Sequence, residues 1–249
     1  MSKSNENLDA YRRKFLGQAT AIAAGATLLP GVILNTIAHA RPANSPATSK
    51  VRWGMLVDTT KCANGCNECV KACNEENGLT STGHPETDAQ WIRTVKLRDK
   101  STGWTTSLPM MCQHCEYPPC VDVCPTGASF KRADGIVLVD KHRCIGCRYC
   151  MMACPYKARS FIHEELTNQK PDVPRGKGTV ESCTFCVQRV DKGEQPACVT
   201  ACAKDGHGAL IFGDLKNPDS EISKRVAQSQ STQIRAELEL NTGVRYQGI

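Results

Sequence analysis

Sixteen cysteines dominate the chemistry that this sequence could perform, and they stand in four groups of four with none left over. The groups are Cys62, Cys66, Cys69 and Cys73; Cys112, Cys115, Cys120 and Cys124; Cys144, Cys147, Cys150 and Cys154; and Cys183, Cys186, Cys198 and Cys202. A cubane iron–sulfur cluster is held by four thiolates, so ligands in quartets suit four [4Fe–4S] clusters. The third group, CIGCRYCMMACP, has the C-x2-C-x2-C-x3-C-P spacing in which three cysteines bind one cluster and the fourth binds a second.

Two other uses of paired cysteines compete with this interpretation. Structural zinc is bound by two separated C-x2-C pairs, and an even cysteine count in an exported chain often indicates disulfides. The first and third groups, however, place four cysteines within a dozen residues or fewer. Disulfide-dense domains are usually shorter than roughly 80 residues and lack repeated C-x2-C-x2-C spacing. The cluster interpretation is therefore favoured, and a zinc- or disulfide-stabilised binding module is the alternative from another class.

The N-terminus has the order of an export signal. Residues 11–16 read YRRKFL, an uncharged stretch rich in Ala and Gly runs from 17 to about 37, and residues 38–40 read AHA. This order predicts a twin-arginine (Tat) signal over residues 1–40 that is removed by cleavage near Arg41. We therefore expect a periplasmic protein, exported folded with its clusters already inserted. An uncleaved anchor is the alternative, because residues 15–34 are about long enough to span a membrane.

The formal charge of +6 does not indicate a nucleic-acid partner. Residues 1–40 hold four basic and two acidic residues, so the remaining chain carries +4. Four oxidised cubanes with their thiolates add about −8. The excess of Lys and Arg is better explained as compensation for cluster charge. No nucleophile–base pair and no glycine-rich phosphate loop is recognisable, so we expect no substrate-converting site in this chain.

The elements that position the cysteines are short. Strands are expected where apolar and polar residues alternate, at 51–57, at 91–97, in a hairpin over 130–140 around Asp134-Gly135, and at 209–212. Helical turns are expected at 70–73, 121–124 and 151–154. Polar stretches at 74–90 and 166–180 predict surface loops. After an N-cap turn at 217–220, a helix is expected from Glu221 to about Leu240, as a partner-binding arm or a solvated tail.

The spacing of the groups predicts a loop-rich α+β fold in which one ferredoxin-like unit of the bacterial 2[4Fe–4S] type is inserted into another. Groups two and three lie close together and form the inner unit, residues 107–164. Groups one and four lie outside it and form the outer unit, residues 41–106 plus 165–220. Residues 221–249 are the predicted C-terminal helix and tail.

Most of this sequence resembles a known family, the four-cluster ferredoxin subunits that accompany molybdopterin oxidoreductases and quinone-linked membrane complexes. The resemblance is carried by residues 112–159, by CTFCVQRV (183–190) and by LIFGDLKNPDS (210–220). Within the family, the signal and the first quartet, CANGCNECVKACNEENG, look most like the DsrO-type subunits of the DsrMKJOP complexes of sulfur-metabolising bacteria and archaea.

The resemblance implies which cysteines share a cluster. Four ligand sets result, which we call sites 1 to 4: Cys62, Cys66, Cys69 and Cys202 (site 1); Cys183, Cys186, Cys198 and Cys73 (site 2); Cys112, Cys115, Cys120 and Cys154 (site 3); and Cys144, Cys147, Cys150 and Cys124 (site 4). Three departures from the pattern are the C-x3-C start of group one, the long gap before Cys198, and Ala203 in place of proline after Cys202. Since no cysteine is missing, we expect four [4Fe–4S] clusters and no [3Fe–4S] centre.

The resemblance also implies a function and partners. It predicts an electron-transfer subunit that works with an NrfD-like integral membrane protein (DsrP-type) and a multihaem cytochrome c (DsrJ-type) in sulfur or sulfite metabolism. The alternative within the family is the iron–sulfur subunit of a polysulfide or tetrathionate reductase or of a hydrogenase. His114 and His142 adjoin ligand cysteines but are expected beside the clusters or at the surface. Arg148 and Lys157 are equally consistent with hydrogen bonds to a cluster and with solvated surface.

Iron and sulfide analysis tests the count of clusters. Four cubanes predict about sixteen irons and about sixteen acid-labile sulfides per chain in anaerobically purified protein. Fewer than about twelve irons would contradict four cubanes. Zinc without labile sulfide would establish the binding-module alternative instead.

Overall fold

The structure, a computed structural model, describes residues 45–62, 65–167, 169–204 and 207–249. The predicted Tat signal and its cleavage site lie outside these residues. The strands are β1 Trp53–Asp58, β2 Ile92–Arg98, β3 Thr105–Met111, β4 Ser129–Lys131, β5 Val137–Val139, β6 Ser160–Phe161, β7 Val180–Glu181, β8 Leu210–Asp214, β9 Ser231–Thr232 and β10 Val244–Gln247. The α-helices are α1 Glu68–Asn77, α2 Pro119–Asp122, α3 Tyr149–Ala153, α4 Val187–Val190, α5 Ala197–Lys204 and α6 Glu221–Gln228, and a 3-10 turn covers Ala236–Leu238.

A four-stranded sheet of order β8-β1-β10-β9 forms the centre of the fold. Strand β1 is buried on both faces, because its middle residues Met55, Leu56 and Val57 are all apolar and fully covered. Met55 pairs with Phe212 of antiparallel β8 on one side and with Val244 of parallel β10 on the other. The sheet therefore joins segments from the beginning, the end and the last quarter of the described chain.

Three two-stranded hairpins complete the β-structure: β2–β3, β4–β5 and β6–β7. The β4–β5 hairpin confirms the prediction made from the Asp134-Gly135 turn, where Gly135 has φ +89°. The predicted strands at 51–57, 91–97 and 209–212 are confirmed as β1, β2 and β8 within two residues at each end. Turn chemistry and alternation were therefore sufficient signals for these local elements.

Helices pack in two pairs, and the four helices of these pairs carry six of the sixteen cysteines. Helix α1 packs against α5, and α2 packs against α3. The predicted helical turn at 70–73 is the middle of the longer α1, which ends where Gly78 takes a left-handed conformation at φ 64°. Eleven of the sixteen cysteines are buried, so thiols form a large part of the core.

The predicted helix from Glu221 to Leu240 is wrong beyond Gln228. Helix α6 begins at the predicted cap, where Ser220 accepts a hydrogen bond from the Ser223 N–H, but it ends after two turns. Ser229 then donates its hydroxyl to the Arg225 carbonyl oxygen at 2.6 Å, which competes with helix continuation. The residues that follow form β9 and β10, and the last strand lies inside the central sheet and not in a solvated tail.

The predicted boundaries of the inserted unit fall inside two hairpins. Strands β2 and β3 pair across the 106/107 boundary, and β6 pairs with β7 across the boundary at 164/165. The two helix pairs support the pairing of group one with group four and of group two with group three. Insertion of one ferredoxin-like unit into another stays a prediction. Among the described residues, none of the helices combines the length and the apolar character needed to cross a bilayer.

The burial of β10 leads to a stability prediction for Tyr246. This side chain is fully buried, and its hydroxyl donates to the Pro109 carbonyl oxygen at 3.2 Å and accepts from Gln113 Nε2 at 3.1 Å. Tyr246→Ala should lower the free energy of unfolding by about 3–5 kcal/mol, as large aromatic-to-alanine changes in cores do. Denaturant unfolding followed by far-UV circular dichroism measures this, with the exposed Tyr117→Ala as the control. Equal stability of the two variants would show that β10 is peripheral.

Candidate iron–sulfur centres

Sites 1 and 2 share one pair of helices. Helix α1 carries Cys69 and Cys73, and α5 carries Cys198 and Cys202, so each helix presents two cysteines four residues apart on the same face. Because the two helices pack against each other, Cys69 lies near Cys202 while Cys73 lies near Cys198. Each helix thus contributes one sulfur to each of two neighbouring sites.

Site 1 surrounds a cavity beside the central sheet. Cys62, Cys66, Cys69 and Cys202 line it together. The backbone N–H of Ala209 donates to Cys202 Sγ at 3.3 Å, just before β8 begins. The structure therefore brings together the four cysteines of site 1 that the family pattern implies, including the two of the unusual C-x3-C spacing.

Site 2 gathers Cys73, Cys183, Cys186 and Cys198. Burial, followed by the neighbouring thiols of Cys73, Cys198 and Cys186, raises the pKa of Cys183 well above its usual value. The N–H of Phe185 donates to Cys183 Sγ at 3.4 Å. The folded-back loop that the long spacing before Cys198 requires is present, since α4 and the segment to α5 return Cys198 to its group.

Sites 3 and 4 repeat this exchange around the second helix pair. Cys112, Cys115, Cys120 and Cys154 line one cavity, and Cys124, Cys144, Cys147 and Cys150 line another. The fourth cysteine of each group lies in the other group's cavity, as the resemblance implies. That these sixteen residues are the ligands of four clusters is still a prediction, which the grouping supports.

Site 4 depends on a glycine for its shape. Gly146, between Cys144 and Cys147, has φ +70°, and a Cβ at this position would collide with the carbonyl oxygen of Gly178. The loop of the third group can therefore pack against the β6–β7 connection only without a side chain here. Opposite this loop, the Ser129 N–H donates to Cys124 Sγ at 3.3 Å.

The donor set fits iron–sulfur clusters. All sixteen cysteines are free, which gives no support to a disulfide scaffold. Besides the backbone donors already described, Asn77 Nδ2 donates to Cys73 Sγ at 3.5 Å and Arg159 Nη2 donates to Cys120 Sγ at 3.0 Å. Such N–H···S contacts favour thiolates. Within the described ranges, no three His, Cys, Asp or Glu side chains converge closely enough to hold a single metal ion.

Burial makes these thiols poor acids without a cluster. Desolvation and then neighbouring thiols raise the pKa of Cys69 and of Cys112 to about 12. At neutral pH such thiols are protonated, so cluster binding must displace protons and supply the positive charge that stabilises buried thiolates. Cys124 differs, because the effect of its slight burial is outweighed by hydrogen bonds from Ser129 and Thr126, which lower the pKa of its thiol.

Exposure of the cysteines separates inner from outer sites. All eight cysteines of sites 2 and 3 are buried. The five that solvent reaches belong to the other two sites: Cys62 and Cys66 in site 1, and Cys124, Cys144 and Cys147 in site 4. Sites 2 and 3 are therefore shielded from solvent, whereas sites 1 and 4 reach the surface.

Sites 2 and 3 meet at an aromatic stack. His114, which lies between Cys112 and Cys115 in the chain, stacks on Phe185 with ring centroids 3.7 Å apart. Its Nδ1 accepts a hydrogen bond from the Val137 N–H at 3.0 Å, and burial lowers its pKa to about 3, so the imidazole is neutral. The structure thus places His114 between two sites.

The other residues considered near the clusters divide between surface and site. His142 and Lys157 are exposed. Arg148 is also exposed but lines the site 4 cavity, with its guanidinium over the Phe161 ring at 3.8 Å from the centroid. Sequence reasoning missed Arg159, which contacts Cys120. Arg159 stands two residues after Lys157 in the chain. Nothing in the sequence indicates which of these two basic residues is buried.

Comparison with known proteins agrees with the geometry. Residues 104–215 match the 4Fe-4S dicluster domain family. The chain is 45% identical to the Hdr-like menaquinol oxidoreductase iron–sulfur subunit 1 of Archaeoglobus fulgidus over 94% of this chain and 97% of that protein. It is 38% identical to a subunit of the tetrathionate reductase of Salmonella typhimurium, over 89% of this chain and 81% of the relative. It is also 38% identical to protein NrfC of Escherichia coli strain K12, over 87% of this chain and 86% of that protein.

The chain therefore belongs to the family of iron–sulfur subunits built on the 4Fe-4S dicluster domain. The predicted class, iron–sulfur protein and electron-transfer subunit of an oxidoreductase complex, is confirmed at this level. The relatives do not distinguish the DsrO type from other members, and the count of four clusters is not given by the match.

Exchange of ligands between groups leads to a prediction for paired cysteine variants. Cys124→Ala and Cys147→Ala belong to different groups but to the same site, so both should perturb the same electron paramagnetic resonance (EPR) signal of the reduced protein. Cys120→Ala, from the same group as Cys124, should perturb a different signal, which Cys154→Ala should also affect. If Cys124→Ala and Cys120→Ala instead damage one common signal, each group holds its own cluster and the ligand sets are wrong.

Proposed function

We propose that this chain is an exported electron-transfer subunit that carries four [4Fe–4S] clusters in a row. It relays electrons between an NrfD-like, quinone-interacting membrane subunit and other redox subunits, among them a multihaem cytochrome c, of a DsrMKJOP-type complex in sulfur or sulfite metabolism. Each cluster takes up and releases one electron, and no bond of a substrate is made or broken in this chain.

The burial pattern of the cysteines is the observation that carries this proposal. An electron relay needs interior centres shielded from solvent and terminal centres that partners can approach. Sites 2 and 3 have only buried cysteines, whereas sites 1 and 4 have partly exposed ones. The shared helices link site 1 to site 2, the stack of His114 on Phe185 links site 2 to site 3, and Arg159 lies between sites 3 and 4. These links support the order 1–2–3–4.

The surface around site 4 supports docking of a protein partner. Cys147 is exposed, and around it Ile145 is 67% exposed, Met152 66% and Tyr149 54%. Large apolar side chains grouped at the surface of a soluble domain are typical of protein contacts. A partner seated here would exclude water from the terminal cluster and bring its own redox centre close to it.

The identity of the partners rests on resemblance. The Archaeoglobus fulgidus relative is named a menaquinol oxidoreductase subunit, which supports a quinone-linked membrane partner of the DsrP type. The DsrJ-type cytochrome partner follows from the DsrO-like first quartet. The periplasmic location follows from the predicted Tat signal.

A second candidate function is the iron–sulfur subunit of a molybdopterin reductase. The 38% identity to the tetrathionate reductase subunit of Salmonella typhimurium over most of both chains favours it. In that case the same row of clusters would end at a molybdopterin subunit in place of a cytochrome.

Affinity purification from native membranes separates these functions. A tag at the C-terminus should retrieve an NrfD-like membrane protein and a multihaem cytochrome c, identified by mass spectrometry and haem spectra. Addition of a reduced menaquinone analogue to that complex should reduce the clusters. Recovery of a molybdopterin subunit without a cytochrome would replace the first function by the second, and recovery of the chain alone without clusters would contradict both.

The docking surface at site 4 makes a prediction for Ile145. Ile145→Gln removes an apolar side chain from this surface without adding a charge beside site 4, whose cavity Ile145 lines. Electron exchange with the native partner should therefore slow by about tenfold while cluster potentials stay unchanged. Stopped-flow reduction of the complex measures the rate. Trp104→Gln is the matched control, since Trp104 is also large and apolar and is 54% exposed on the β2–β3 hairpin. If both variants slow the exchange equally, or neither does, site 4 is not the docking end.

A further inference from the structure

Arg159 is a buried cation between sites 3 and 4. It lies just before β6, and only 6% of the residue is exposed. Its Nη2 donates to Cys120 Sγ at 3.0 Å and to Ser129 Oγ at 2.8 Å. In the described part of the chain, no Asp or Glu forms an ion pair with it. The guanidinium instead lies near the sulfurs of Cys120, Cys112 and Cys150, which would be anionic with clusters bound.

The side chain reaches both sites. Cys120 belongs to site 3, and Arg159 contacts it directly. The link to site 4 runs through Ser129, which lines the site 4 cavity. Ser129 accepts from Arg159 with its hydroxyl and donates its N–H to Cys124 Sγ at 3.3 Å.

Two of the guanidinium's nitrogens are unused by the protein. Nε and Nη1 of Arg159 are buried without a hydrogen-bond partner among the described residues. A charged donor buried in this way is costly unless an acceptor is present. Since Arg159 lines the site 3 cavity and is hydrogen-bonded to Ser129, which lines the site 4 cavity, the acceptors that fit are the inorganic sulfides and thiolates of clusters bound there.

We propose that Arg159 sets the reduction potentials of the two clusters in sites 3 and 4 and couples them. One-electron reduction changes the charge of a cubane with its thiolates from about −2 to about −3. A fixed positive charge with N–H donors stabilises the more negative state, so Arg159 raises both potentials. When one of the two clusters is reduced, it attracts the same guanidinium and weakens its effect on the other.

Burial distinguishes Arg159 from the other arginines near these sites. Arg143 and Arg148 are exposed, so water and salt screen their charges. At equal distance, a charge pair interacts about four times more strongly at an effective dielectric constant near 20 than in bulk water. Arg159 should therefore dominate the arginine contribution to the potentials. The inference rests on the proposed function only in requiring clusters at sites 3 and 4.

Redox titration of variants of the full-length holoprotein, monitored by EPR, tests the inference. Arg159→Met removes the charge and all donors, and should lower two of the four midpoint potentials together. Arg159→Lys keeps the charge but loses the planar fork, and should lower the same two by less. Arg143→Met is the matched control, since its guanidinium is exposed and donates to the Thr126 carbonyl oxygen, and it should leave all four unchanged. The signal that Cys124→Ala damages identifies the site 4 cluster.

Unchanged potentials in both Arg159 variants, or a shift confined to a single cluster, would overturn the inference. If Arg159→Met fails to retain clusters, Arg159→Lys decides alone: a downward shift of two potentials supports the role and unchanged potentials refute it. A wild-type protein that holds clusters but does not exchange electrons with a quinol-linked partner would refute the proposed function and leave the Arg159 test intact.

Discussion

The rest of the structure depends on the four-residue spacing of cysteines along its short helices. Four residues of α-helix advance about 6 Å and return to the same face. Helix α1 therefore presents Cys69 and Cys73 to α5, one helical turn apart. Helix α5 presents Cys198 and Cys202 to α1 in the same way. Two clusters that share a helix must lie side by side, because their ligands are joined by one helical turn. The neighbouring sites are in this way a consequence of helix geometry.

Burial of thiols determines how the fold is stabilised. Aromatic residues make up only 5% of the chain, and eleven buried cysteines occupy positions that larger apolar side chains hold in other cores. The raised pKa values of Cys69 and Cys112, for example, mean that the chain without clusters would bury neutral thiols around cavities. With clusters bound as proposed, the same thiolates would bind iron. Cluster binding would then contribute to the folding free energy, as metal sites do in other small domains. Phe185 and Cys186 have a left-handed backbone conformation, with φ of 53° and 51°, which is strained for residues that carry a side chain.

The sequence predicted the iron–sulfur class because the cysteine spacing within each group is local. C-x2-C spacing and the Asp134-Gly135 turn each lie within a few residues, and both correspond to observed structure. Features that depend on residues far apart in the sequence were harder to predict. Strand β10 was missed because Val244 and Tyr246 are a two-residue alternation, too short to predict a strand before β1 is known to lie beside it. Arg159 was missed because burial of a cation depends on the sites that surround it, and Lys157 two residues earlier is equally basic but exposed.

The central claim is that four clusters form one row in which the members next to each other interact. An EPR-monitored redox titration of the purified complex tests it most directly. The account predicts four one-electron centres whose signals broaden and split as neighbouring clusters become reduced together, because unpaired spins in adjacent sites couple. Fewer than four centres, or four signals that titrate without any mutual effect, would contradict it.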